Sequence, residues 1–248
     1  MQWLMSEEGY TSILIGSFIY AGLILIGAFM TKAPYGRFGV EGVGLSLSPR
    51  VGWFLMELPA TISFVWFYAH GENAGELVPM LFLGIWLIHY SNRGFIFPVL
   101  MRVAKGSKGT FSLMVVAAGW LVTTLHGYLN AVFISQLSTH LTPDWLRDPR
   151  FLVGMTLYAF GFIMNVHSDK IIRNLRSKAE VASGERHYRI PRGGLFRYVT
   201  NPSYFTEIVS FAGFAIATWS PGALFVLIVS AANLTPRAFQ IQKWDEEK

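Results

Sequence analysis

The chain has no cysteine among its 248 residues. That absence excludes disulfides, thiolate metal sites and cysteine nucleophiles. Charge is also scarce. Asp, Glu, Lys and Arg make up 14% of the chain, against about 25% in a typical soluble domain. The deficit is spread along the whole length, so most of the chain avoids water. The first residues carry Glu7 and Glu8 where a secretory leader has basic residues, so no cleaved signal peptide is expected. No Gly-x-Gly-x-x-Gly follows a strand-like run, which argues against a soluble-type dinucleotide fold. No set of His, Asp and Glu has metal-ligand spacing, so no metal is expected. Neither a nucleic acid nor an obligate protein partner is inferred.

Long apolar runs fill the space that charge leaves. Tyr10–Met30 has no charge, Val51–His70 has only Glu57, and Leu77–Met101 has only Arg93. Phe111–Gln136 and Phe151–Ser168 have none, Pro202–Trp219 has only Glu207, and Gly222–Pro236 is shorter and uncharged. About 20 apolar residues of helix cross a bilayer. The pattern therefore predicts an all-α integral membrane protein with seven transmembrane helices, in a single domain over 1–248. Basic residues set the orientation. Lys32, Arg37 and Arg50, then Arg102, Lys105 and Lys108, the Lys170–Arg197 segment and the tail with Arg237 and Lys243 all fall on one side. The other side holds only Arg147 and Arg150. The positive-inside rule places the N-terminus outside and the C-terminus in the cytoplasm. Membrane lipids are thus the surroundings, in either a bacterial inner membrane or the endoplasmic reticulum.

Ionisable residues inside spans are costly and usually face a cavity or a partner. Glu57 lies roughly 10 Å along its helix from the inner end, with Trp53 one turn before it. Tyr90 and Arg93, three apart, share a face, and His89 is adjacent. Asn165, Asp169, Arg173 and Arg176 make one polar stripe at helical spacing. Ser203 and Glu207 stack similarly after Asn201-Pro202, where proline suits a helix start. A plainer reading pairs Glu57 or Glu207 with Arg93 or Arg237 as structural ion pairs. Two buried carboxylates, a buried tyrosine and a polar stripe together favour a functional cavity. His126, alone in its span, reads as a packed helix contact. The basic Lys170–Arg197 segment suits either anionic lipid headgroups or a phosphorylated cofactor.

Several stretches carry a resemblance. Ala33-Pro34-Tyr35-Gly36-Arg37-Phe38, Trp53-Phe54-Leu55-Met56-Glu57-Leu58-Pro59 and His89-Tyr90-Ser91-Asn92-Arg93 come first. Asn165-Val166-His167-Ser168-Asp169, Tyr188-Arg189-Ile190-Pro191-Arg192-Gly193-Gly194-Leu195-Phe196, Glu207 and Arg237-Ala238-Phe239 follow in order. Together they resemble the steroid 5α-reductases from about residue 33 to 239. The resemblance implies a seven-helix reductase that uses NADPH to saturate the Δ4 double bond of a 3-oxo steroid. It implies that Glu57 and Tyr90 address the substrate carbonyl and that Trp53 lines the steroid site. Asn165, Asp169, Arg176, Tyr188, Arg189, Ser203, Glu207 and Arg237 fall at cofactor positions, with Arg37 and Arg93 as phosphate partners. Met56 stands where the family usually has Gln, and Ser203 where it usually has Asn.

These residue types suit that chemistry. Hydride addition to a conjugated enone builds negative charge on the carbonyl oxygen, and a carboxylic acid and a phenol can hydrogen-bond it in a dry site. Arginine offers planar donors to phosphate. Three other readings stay open: a reductase of another enone or enoyl lipid (a polyprenal or an enoyl thioester), an isoprenylcysteine-type membrane methyltransferase, and a non-enzymatic seven-helix receptor or transporter.

Overall fold

The computed structural model describes residues 1–30, 45–103, 111–184 and 189–247. Among them the chain runs through seven long helices: α1 Glu7–Met30, α2 Pro49–Tyr68, α3 Leu77–Tyr90, α4 Leu113–Val132, α5 Pro149–Asn174, α6 Pro202–Thr218 and α7 Pro221–Glu246. After Tyr90, α3 continues as a π-helix over Ser91–Ile96 and closes as α-helix over Phe97–Leu100. Among the described residues five segments are long and apolar enough to cross a membrane: Glu7–Ala28, Pro49–Tyr68, Leu113–Leu137, Pro149–Asn174 and Pro221–Lys243. The other two expected spans are shorter as regular α-helix, 14 residues in α3 and 17 in α6.

Local chemistry sets the helix starts. The Ser48 and Ser112 hydroxyls cap α2 and α4, the Asp148 carboxylate accepts from the Arg150 N–H at 2.8 Å, and the Ser220 hydroxyl caps α7. Such oxygens satisfy N–H groups that have no partner within the helix. Pro49, Pro149, Pro202 and Pro221 begin their helices, where the missing N–H costs nothing. Pro59 lies inside α2 and cannot bond the Leu55 carbonyl four residues back. The Trp120 indole N–H of α4 donates to that carbonyl instead, at 2.6 Å.

Strands Ser46–Leu47 and Phe111–Ser112 pair antiparallel, with Ser46 opposite Ser112. They tie the starts of α2 and α4 together, so these two helices run side by side in the same direction. Ser63 of α2 donates to the Pro59 carbonyl at 2.6 Å and the Thr124 carbonyl of α4 at 3.1 Å. Helices α5 and α6 make the most extensive contact and run antiparallel. Small residues let them approach: a Cβ at Gly161 would fall 2.5 Å from the Ser210 backbone nitrogen. Membrane helices associate closely through such residues.

Aromatic packing fills the end of the bundle away from the strand pair. Phe64 stacks on Trp86 at 4.5 Å, and Phe82 meets Phe214 edge-on. The polar tips of these rings are served, since the Trp86 N–H reaches the Ala60 carbonyl and the Trp145 N–H reaches the Ala217 carbonyl, as buried amphipathic rings require. The outward faces are also apolar. Ile15, Ile19, Leu23 and Ile26 of α1 and Ile163 of α5 are exposed, as expected of helices whose solvent is lipid.

Candidate active site

The π-helical turn after Tyr90 fixes the site. Such turns often mark functional positions, and here Tyr90, Arg93 and Gly94 are all buried. A Cβ at Gly94 would come 3.3 Å from the Glu57 Cβ, so glycine lets the end of α3 lie close against Glu57 on α2. The Trp53 indole donates to the Arg93 carbonyl at 3.1 Å. The Arg93 guanidinium lies over the Trp53 ring at 4.8 Å and the Phe97 ring at 5.1 Å. Each ring adds cation–π attraction to a desolvated charge.

Arg93 then joins two more helices. Its Nη2 is 2.8 Å from Glu207 Oε2 on α6, and its Nη1 is 3.6 Å from Asp169 Oδ2 on α5. The Ser203 hydroxyl donates to Asp169 Oδ1 at 2.7 Å, and Asn165 Nδ2 donates to the Ser203 carbonyl at 2.7 Å. Trp53, Arg93, Asn165, Asp169, Ser203 and Glu207 therefore form one set across four helices, joined by ion pairs at Arg93 and by hydrogen bonds around it. The structural pairing of Glu207 with Arg93 is present. Arg93 is thus the counter-ion of two carboxylates.

A cavity of about 320 Å³ opens beside this set, within the usual range for small-molecule pockets. Trp53, Glu57, Tyr90, Arg93, His126 and Glu207 line its polar side; Tyr20, Ile24 and Leu234 lie on other walls. Glu57 and Tyr90 thus face one space. His89, next to Tyr90, also borders it, and its ring sits among Tyr158, Phe162 and Phe211. Neither His89 nitrogen has a hydrogen-bond partner among the described residues.

The remaining expected positions lie apart. Arg237 is buried, and its Nε donates to the Tyr204 hydroxyl at 2.8 Å. Arg176 Nη2 donates to the Arg102 carbonyl at 3.0 Å, and Arg102 returns a bond to the Arg176 carbonyl. Arg189 is exposed and reaches the Leu175 carbonyl and the Glu180 carboxylate. Arg189 beside it, with the Ser177 N–H, holds the Glu180 carboxyl down at about 2. Arg37 and Tyr188 lie outside the described residues.

Sequence reasoning undervalued His126. Its Nδ1 lies 3.2 Å from the Tyr90 hydroxyl, so it belongs to the cavity as well as to the helix contact. Only the comparable depth of two buried polar groups in different spans hinted at this. The Tyr204–Arg237 bond carried no signal in the spacing.

The sequence model of the family described as 3-oxo-5-alpha-steroid 4-dehydrogenase matches residues 109–248. The chain is 39% identical over 227 residues to 3-oxo-5-alpha-steroid 4-dehydrogenase 1 of Rattus norvegicus, covering 90% of this chain and 83% of the rat protein. It is 34% identical over 251 residues to the Bos taurus protein of the same name, covering 100% of this chain and 92% of the bovine one. Steroid 5-alpha-reductase DET2 of Solanum lycopersicum is 30% identical over 233 residues, covering 91% of this chain and 88% of the tomato protein.

Proposed function

The chain belongs to the 3-oxo-5-alpha-steroid 4-dehydrogenase family of oxidoreductases, and from that premise we propose that it reduces the Δ4 double bond of 3-oxo-Δ4 steroids to 5α-3-oxo steroids with NADPH. The single observation that carries the site assignment is that Glu57 and Tyr90, from separate helices, face one largely apolar cavity next to a buried charged set. A planar enone with an apolar body fits such a space: its ring system against apolar walls, its one carbonyl against the acid and the phenol.

The donor set fits a nicotinamide cofactor. Asn165 and Ser203 are buried and Asp169 and Glu207 nearly so, in a set that meets the cavity at Glu207, and they offer amide, hydroxyl and carboxylate groups of the kind that bind a carboxamide and a ribose. Arg237, Arg176 and Arg189 lie apart from this set, and their guanidinium groups suit phosphates. Arg37 and Tyr188 complete the proposed set. NADPH supplies the hydride when bound.

The chain's own residues do the rest. Glu57 and Tyr90 hydrogen-bond the 3-oxo group and stabilise the charge that gathers on its oxygen as hydride reaches C5. Trp53 closes the cavity and fixes Arg93 through its carbonyl. Arg93 keeps Glu207 and Asp169 in place, so those carboxylates hold fixed positions before the substrate arrives. Seven spans with the N-terminus outside would put the basic Lys170–Arg197 segment in the cytoplasm with the cofactor, while the steroid enters from lipid.

The test is direct. Purified protein, NADPH and a panel of 3-oxo-Δ4 steroids should yield a product two mass units heavier carrying a 5α hydrogen, with NADH far less effective. No such product from well-folded protein would refute the reading.

A further inference from the structure

His126 stands at the middle of α4, 7% exposed, and lines the cavity that Glu57 and Tyr90 share. Its ring meets Phe225 edge-on at 5.8 Å, and Asn130 Nδ2 donates to its carbonyl at 2.9 Å. Gly127, the next residue, lets α2 close against α4, since a Cβ there would strike Ser63 and Ala60. The imidazole is held between the Phe225 ring and the Tyr90 hydroxyl. Its Nδ1 is 3.2 Å from the Tyr90 hydroxyl, while its Nε2 is buried with no hydrogen-bond partner among the described residues.

A neutral imidazole has two tautomers, and they have opposite consequences for the phenol. With the proton on Nε2, the bare Nδ1 accepts the Tyr90 O–H. The phenol's only proton is then spent on His126, and a buried N–H is left without an acceptor. With the proton on Nδ1, the imidazole donates to the phenolic oxygen. The Tyr90 O–H is then free to turn into the cavity, and the group left unpaired is a lone pair. Buried donors without acceptors are rarer than under-used acceptors. A phenol that accepts one hydrogen bond also donates a stronger one, because such chains polarise one another.

We propose that His126 is a positioning residue for Tyr90: its Nδ1–H donates to the Tyr90 oxygen and aims the Tyr90 O–H at the substrate carbonyl. This rests on the reading above, in which Tyr90 hydrogen-bonds that carbonyl, and adds the group that decides where the phenol's proton points.

Two measurements on the full-length protein test it. The first is the nitrogen NMR spectrum of protein carrying ¹⁵N-labelled histidine rings, with the His126 signals identified by their loss in His126→Asn. The expected result is a neutral ring protonated on Nδ1; a proton on Nε2 overturns the proposal. This readout does not depend on any reaction. The second is steroid turnover. His126→Leu keeps the bulk, removes the donor and should lower kcat by about 10–100-fold, the range seen when a group that orients a functional ligand is removed. His126→Asn places an amide N–H near the lost Nδ1–H and should recover most of that loss. In a Tyr90→Phe background, His126→Leu should cost little more. Equal losses in folded His126→Asn and His126→Leu, or full additivity with Tyr90→Phe, would overturn the assignment. If His126→Leu does not fold, the tautomer and the His126→Asn rate decide. Wild-type protein that turns over no steroid would instead refute the functional reading, and the tautomer would still judge the hydrogen bond.

Discussion

Among single residues, Glu57, Tyr90 and Arg93 do different work, and their substitutions should separate. In the proposed mechanism Glu57→Gln and Tyr90→Phe each remove or weaken one donor to the same oxygen. Each should lower kcat by roughly 10²–10³ with little change in NADPH affinity. The double variant should lose far less than the product of the two, because they act as a unit. Steady-state kinetics on folded protein measures this, and near-normal turnover in Glu57→Ala would end the mechanism. Arg93 behaves otherwise, since Glu207 and Asp169 at 2.8 and 3.6 Å depend on its charge. Arg93→Ala leaves two carboxylates buried without a counter-ion, a loss of about 3–5 kcal/mol for one broken buried pair. Its melting temperature in detergent should fall sharply, and adding Glu207→Gln should restore part of it.

At the scale of elements, the α5–α6 contact is set by residues without side chains. A Cβ at Gly161 would lie 2.5 Å from the Ser210 backbone nitrogen, and neither backbone can retreat. Gly161→Leu should destabilise the protein by about 1–3 kcal/mol or more and weaken NADPH binding, because Asn165 and Ser203 lie one to two turns along the same contact. Gly16→Ala, where α1 has open space, should leave both unchanged; thermal melts and cofactor titration compare them. The short helix Lys178–Ser183 is held differently. Ser177 and Glu180 close a capping box at its start, and Glu180 grips Arg189. Its folded value of about 2 lies below the ordinary 4.5, so the contribution is complete above about 4.5 and is lost as pH falls toward 2. Protection of the amides of residues 177–183, taken relative to their intrinsic exchange rates, should fall across that window in wild type and not in Glu180→Gln.

For the whole molecule, seven crossings require α3 and α6 to span as well as the five longer apolar helices among the described residues. Alternate helix starts lie at opposite ends: α2 and α4 begin at the strand pair, while α5 and α7 begin at the Trp145–Trp219 end. The cysteine-free chain permits a clean test. Single cysteines at Thr142 and Ser183, both exposed, should react with an impermeant thiol reagent from opposite sides of a sealed membrane. Ser138 is 8% exposed and donates to the Ile134 carbonyl, so it is a poor probe. Labelling of both sites from one side would refute seven crossings.

Composition and the spacing of charges were enough for the existence of the long helices but not for their ends: α7 runs on to Glu246 where the uncharged run stops at Pro236, and α3 turns to π-helix after Tyr90. The helices themselves follow from local preferences: apolar length, a proline that needs no N–H at residue 49, 149, 202 or 221, and serine oxygens that cap. Spacing also put Glu57 near Trp53 and Asn165 near Asp169, because one helix determines its own faces. Distances between helices do not follow from any periodicity. That Arg93 is neutralised by Glu207 and Asp169, that Gly94 brings Tyr90 beside Glu57, and that His126 meets the Tyr90 hydroxyl were decided when α2 through α6 packed. The physical reason is that burial gives each polar group a choice among all partners within about 3 Å, and those partners come from segments far apart in the chain.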